Sequence, residues 1–241
     1  MKITFEIYYH TRWGESLFLS GDIDELGANE ENRAVMMDYQ GDGLWKYTME
    51  LPASAKKFHY EYLVKSGEGI RREWGSPHSF SPGRNAGEYR LVDRWRDVPA
   101  NLPFYSSAFI QGIFFRQHAD YVVETIEQGT FTVKVDAPQL RPDERLVMVG
   151  DCPELGDWDV LKAPLLNDSA FPEWQITLDG RQLKFPFEYK FVIVRTHQRE
   201  VVAWETGENR ICREKPQNPS EAVVVSGLRF NGSESQWRGA G

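Results

Sequence analysis

Four landmarks in this chain occur twice at nearly one separation, and that repeat constrains the fold more than any other feature. Gly21-Asp-Ile-Asp-Glu-Leu-Gly27 returns as Gly150-Asp-Cys-Pro-Glu-Leu-Gly156 (150 − 21 = 129), and Trp45 returns as Trp174 (174 − 45 = 129). Glu61-Tyr62 matches Glu188-Tyr189 (188 − 61 = 127), and Trp74 matches Trp204 (204 − 74 = 130). Landmarks kept in one order describe two copies of one unit, each of about a hundred residues, an ordinary domain size. A chain of 241 residues holds two such units and a connection.

Inside each unit the pattern is β. Ile3 to Tyr9, Ser16 to Ser20, Leu44 to Leu51, Lys57 to Val64 and Tyr89 to Val92 are short runs with period-2 character, separated by Gly, Pro, Asp or Asn. No long helical pattern competes with them. The expected class is all-β, two similar antiparallel β-sandwiches in tandem. The first is expected over 1–97 and the second over 128–230, with a partly packed linker at 98–127 and a further connection beginning at 231–241. The linker carries Phe104, Phe109, Ile110, Ile113, Phe114 and Phe115, too apolar a set for a free tether.

Composition excludes several functions. The formal charge is −8 and no basic run exceeds two residues, so nucleic acid is not an expected partner. No stretch approaches a membrane span and the N-terminus alternates like a strand rather than a signal peptide, so a cytoplasmic location is expected. His10, His59, His78, His118 and His197 show no metal spacing, and neither a cofactor loop nor a nucleophile elbow is present. Cys152 and Cys212 make no disulfide framework, and a reducing cytosol disfavours a bridge. Hydrolysis of a glycoside needs a matched pair of carboxylates, and nothing among 36 acidic residues selects one. No catalytic residue is assigned, and the chain is expected to be non-catalytic.

Eight tryptophans are too many for core duty alone to explain easily. Trp158 follows a Gly-Asp turn and Trp204 precedes a Thr-Gly turn, places where an exposed ring stacks on the apolar face of a sugar. Lys190 and Asn209 would supply hydrogen bonds at the edge. On spacing alone the alternative stands equally: both rings in the core and Lys190 an outward strand position. Trp45 and Trp174 sit inside apolar alternation and read as core.

The segments Glu154 to Trp158, Phe187 to Phe191 and Trp204 to Arg210 resemble the family-20 carbohydrate-binding module, the starch-binding domain. The resemblance implies immunoglobulin-like sandwiches with two sites for α-1,4-glucan. Its first site falls on Trp158, Lys190, Trp204 and Asn209, with Glu205 beside them. In the first copy Asn29 stands for Trp158, Leu63 for the lysine and Ser79 for the asparagine, leaving Trp74. Its second site falls on Trp13 and Tyr39, whose places in the second copy hold Pro142 and Asp168, with Phe171 nearby. The whole chain looks like the N-terminal part of a disproportionating-enzyme-2-type 4-α-glucanotransferase, with the catalytic barrel beginning after the terminal Trp237 to Gly241.

The expected function is therefore non-catalytic binding of starch, glycogen or maltodextrin on behalf of such an enzyme. A glycogen-sensing module that recruits a partner protein is the alternative, and a purely protein-binding sandwich is a third. Oligomeric state is left open.

Overall fold

In a computed structural model, residues 1–83, 87–97 and 124–232 are described. They form two compact units, Met1–Gln128 and Gly129–Gly241. Of the connection expected at 98–127, only its last residues are described. There Ile126 is buried and bridges Pro82, and the Gly83 N–H donates to its carbonyl at 2.9 Å. The apolar residues at 104–115 and the terminal Trp237 to Gly241 lie outside the described residues.

The first unit contains β1 (Lys2–Tyr8), β2 (Ser16–Gly21), β3 (Val35–Met36), β4 (Asp38–Gly41), β5 (Leu44–Glu50), β6 (Phe58–Ser66), β7 (Gly69–Arg72), β8 (His78–Phe80) and β9 (Glu88–Arg94). One sheet runs β9-β1-β5-β4 and the other β3-β2-β6-β7, with β8 also on β6. Pairing is antiparallel except between β1 and β9. Alternation in β1 explains the layering: Ile3, Phe5 and Ile7 are in the core, and Phe5 meets Tyr60 of the other sheet edge-on at 5.0 Å. Thr4 and Glu6 take the opposite face, where they pair across the strands with Thr48 and Lys46.

The second unit repeats this plan with β10 (Thr130–Asp136), β11 (Glu144–Gly150), β12 (Asn167–Ala170), β13 (Glu173–Asp179), β14 (Phe187–Arg195), β15 (Val201–Trp204), β16 (Arg210–Cys212) and β17 (Ala222–Arg229). One sheet runs β12-β13-β10-β17, and β11-β14-β15 with β16 forms the other. Phe131 and Phe187 meet between them at 6.1 Å. Trp45 and Trp174 are core residues of their units, 6% and 2% exposed. Cys152 and Cys212 are separate buried thiols. No helix of the described residues is long and apolar enough to cross a membrane, and no metal-ligating cluster occurs among them.

Strand register corrects one landmark. Gly21 pairs with Tyr60 and Gly150 with Tyr189, so Tyr60 rather than Tyr62 is the counterpart of Tyr189. The separation stays at 129 here (189 − 60) and widens only in the next hairpin. The marker for that change is a buried glutamate. Glu73 accepts the Tyr62 N–H eleven residues away, whereas Glu205 accepts the Phe191 N–H fourteen residues away.

Glu73 also anchors the polar interior of the first unit. It receives Arg96 Nε at 3.1 Å and His78 Nε2 at 3.0 Å, while Asp93 accepts both the Tyr60 and Tyr62 hydroxyls at 2.9 and 2.6 Å. Burial alone would raise the Glu73 carboxyl, but Arg96 and His78 outweigh it and hold it at about 2, against an ordinary 4.5. A depressed carboxyl contributes stability that is complete above its unfolded value and is lost as pH falls through the folded one. The unfolding midpoint of the chain is therefore expected to drop between pH 4.5 and 2. Thermal melts across that range should show a shallower drop for Glu73→Gln; an identical acid limb would remove Glu73 from the explanation.

Candidate functional site

The site of the second unit is built on β14. Phe187, Tyr189 and Phe191 point to the core, so Glu188, Lys190, Val192 and Val194 form the outer row. Trp158 and Val160, both half-buried, pack against a cluster made of Val147, Val149, Ala163, Val192 and Val194. Trp204 is the cross-strand partner of Val192, which sets it on the same face, and it is 43% exposed. Both rings thus belong to the outer face of β14, Trp204 opposite Val192 and Trp158 on the valine cluster, with Lys190 two residues before Val192 on the same row.

The backbone that delivers Trp158 is unusual. Gly156, Asp157 and Trp158 all have positive φ (82°, 51° and 64°), and the Trp158 N–H donates to the Gly150 carbonyl at 2.7 Å. Glycine adopts this region freely, whereas a bulky residue is rare there. The first unit makes the same turn at Gly27, Ala28 and Asn29 (86°, 51° and 63°), with the Asn29 N–H on Gly21 at 2.7 Å. Asparagine is at ease in that conformation. Tryptophan, in the same conformation, is a strained choice there.

Lys190 donates to the backbone carbonyls of Glu205 at 3.2 Å and Gly207 at 2.6 Å, which spends two of its three N–H groups and leaves one. Asn209 is exposed and donates Nδ2 to Glu188 Oε2 at 2.8 Å. Glu205, placed by the resemblance in the binding set, has its side chain turned inward. It is 4% exposed, and its carboxylate receives Arg210 Nε and Nη2 at 2.9 to 3.0 Å as well as the Phe191 N–H. The cause is strand alternation: Trp204 points out, so its neighbour points in.

The same register revises the first unit. Leu63 pairs with Arg72 as Val192 pairs with Trp204, so Arg72, not Trp74, stands in the place of Trp204. Tyr60 matches Tyr189, so Glu61, not Leu63, stands for Lys190. β8 lies on β6 as β16 lies on β14, with His78 opposite Tyr60 and Arg210 opposite Tyr189, so Pro77 rather than Ser79 stands for Asn209. Arg72 forms ion pairs with Glu61 and Glu31. Where the second unit has a ring, an amine and an amide, the first has a charged cluster. Trp74 is half-buried, and its backbone N–H donates to the Arg96 carbonyl at 2.8 Å. The mismatch arose because the β6–β7 hairpin is three residues shorter than the β14–β15 one (14 − 11).

Trp13 and Tyr39 lie on another part of the first unit. Trp13 is fully exposed at 104% on a turn in which the Arg12 N–H donates to Glu15 Oε2 at 2.8 Å. Arg71 holds that turn, 3.3 Å from Glu15 Oε1 and stacked over the rings of Tyr9 and Trp95. Tyr39, 57% exposed, sits opposite Trp45 on β5 with ring centroids 5.1 Å apart. The second unit keeps the turn, the Arg141 N–H on Glu144 Oε2 at 3.0 Å, but carries Pro142 in place of Trp13. Phe171 is half-buried after β12.

Against known proteins, the starch binding domain profile matches residues 1–85 and 128–223. The chain is 29% identical over 267 residues to the 4-alpha-glucanotransferase DPE2 of Oryza sativa subsp. japonica, covering 100% of this chain and 27% of that protein. It therefore spans about a quarter of that relative's length. An AA13 family lytic polysaccharide monooxygenase A of Aspergillus terreus is 34% identical over 73 residues, 29% of this chain and 18% of the relative. The solved family 20 CBM of a maltotetraose-forming amylase from Pseudomonas saccharophila is 20% identical, covering 40% of this chain and 99% of that one, with a TM-score of 0.32.

Proposed function

The chain belongs to the starch binding domain family, matched once in each unit, and on that premise we propose that it binds α-1,4-glucans without chemistry of its own. The observation that carries this is the outer face of β14, where exposed Trp204 stands opposite Val192, half-buried Trp158 packs on the valine cluster of the same face, and Lys190 keeps one donor unspent. Two rings remove the C–H faces of sugars from water while the ammonium and the Asn209 amide serve the hydroxyl edge. Trp13 and Tyr39 form the first unit's own site, since its β6 face is occupied by the Glu31–Arg72–Glu61 cluster. Two weak sites on one chain gain avidity on a polymer that reaches both.

The likeness to a 4-alpha-glucanotransferase across the full length of this chain supports a place beside such a catalytic domain, holding it on starch, glycogen or maltodextrin in the cytoplasm. The test is titration of the full chain with β-cyclodextrin and maltoheptaose, followed by tryptophan fluorescence. Saturable binding below millimolar ligand is expected, and Trp13→Ala should remove one of two sites while sparing the other. Silence at millimolar ligand would overturn the proposal.

A further inference from the structure

The two units act as an internal control on which residues serve the framework and which serve the site. The framework is the same in both. Asp22 Oδ1 accepts the His59 N–H at 2.8 Å and Asp151 Oδ1 accepts the Glu188 N–H at 2.9 Å; Glu73 and Glu205 hold the same buried position. The β6 face of the first unit has instead exchanged every residue of the proposed site: Asn29 for Trp158, Glu61 for Lys190, Arg72 for Trp204 and Pro77 for Asn209. Glu188 changes with the second group. Its counterpart is His59, although the main chain there is pinned in the same way, so the strand does not need this side chain.

Glu188 stands two residues before Lys190 on the outer row of β14, about 6.6 Å along the strand. Its Oε2 accepts Asn209 Nδ2 at 2.8 Å, both side chains being exposed. A carboxylate only accepts, so the asparagine amide must turn its NH2 toward it. We infer that Glu188 is a positioning residue of the second unit's site, fixing the Asn209 amide so that Oδ1 and the second N–H are left for a sugar's hydroxyl edge. Pro77 offers no amide to orient, which accounts for the loss of the glutamate in the first unit. The inference rests on the proposed glucan site.

The test uses the full chain carrying Trp13→Ala, so that β-cyclodextrin reports the second unit. Glu188→Ala should weaken binding about 3- to 10-fold, the value of one well-placed hydrogen bond, with an unchanged melting temperature. Glu188→Gln, whose amide oxygen can accept the same N–H, should restore affinity to within about twofold. Asn209→Ala should be no weaker when Glu188→Ala is added, because the glutamate acts through the asparagine. Parental affinity in Glu188→Ala, no rescue by glutamine, or additive losses would each overturn the assignment. A Trp13→Ala parent that fails to bind β-cyclodextrin overturns both the assignment and the site it rests on, whereas a binding parent with an inert Glu188 overturns only the former.

Discussion

Replacing Trp204 with alanine is expected to lower the second unit's affinity for β-cyclodextrin by about 50-fold while leaving the fold intact. The ring is 43% exposed on β15, at the end of the order β11-β14-β15. A sugar face that covers roughly 100 Å² of apolar surface gains about 2.5 kcal/mol, close to two orders of magnitude in affinity. Removing the ring uncovers little core, and the loss of strand preference costs up to about 1 kcal/mol. Trp158→Ala should behave differently. That indole packs, with Val160, on the buried cluster of Val147, Val149, Ala163, Val192 and Val194, so its removal should cost both affinity and about 2 kcal/mol of stability. Titration calorimetry on a Trp13→Ala background, run beside thermal melts, separates the two. A Trp204→Ala variant that binds like its parent would move the ligand off this face, and one that fails to fold would return the ring to the core.

The difference between these tryptophans was only partly legible in the sequence. Trp45 and Trp174 could be assigned to the core because their neighbours alternate, and both are buried. The Gly21 and Gly150 turns match at five of seven letters, and the closing Gly27 and Gly156 are kept because left-handed backbone restricts the residues allowed there, their φ angles agreeing within 4° (86 − 82). The β6–β7 hairpin offered no such restriction. Glu61-Tyr62 and Glu188-Tyr189 look alike as letters, yet the pairing of Gly21 with Tyr60 fixes a register two residues away. Exposed hairpins accept insertions without consequence for the core. The separation of the repeats changes there by three residues, so Trp74 falls at the repeat distance from Trp204 while Arg72 fills the matching place on the strand. The signal that survives such an insertion is the buried glutamate, since it must reach one particular N–H on the neighbouring strand. Counting back one residue from Glu73 and from Glu205 gives Arg72 and Trp204, the correct pair.

Glu205→Ala is expected to cost the second unit about 3 to 5 kcal/mol, the usual penalty for breaking one half of a buried ion pair. Arg210 is buried, directs Nε and Nη2 at this carboxylate and lies over the Phe191 ring at 5.4 Å, so alanine would leave a cation in the interior. The Phe191 N–H would lose its acceptor as well. In a unit of this size each kcal/mol moves the melting temperature by about 4 to 8 °C, so the transition should fall by more than about 10 °C. Binding should suffer even below that transition, because the Glu205 and Gly207 carbonyls that hold Lys190 belong to the segment the pair secures. A double variant, Glu205→Leu with Arg210→Met, removes both charges and should be more stable than Glu205→Ala alone. Glu73→Ala should cost the first unit a similar amount, since the same position there faces Arg96 and His78. Glu61→Ala, on the solvent-facing cluster, should cost under about 1 kcal/mol. Calorimetric melts of the four variants decide it. If Glu205→Ala proves as mild as Glu61→Ala, the glutamate does not hold the site together, and the lysine and ring beside it must be fixed by the strand pairing alone.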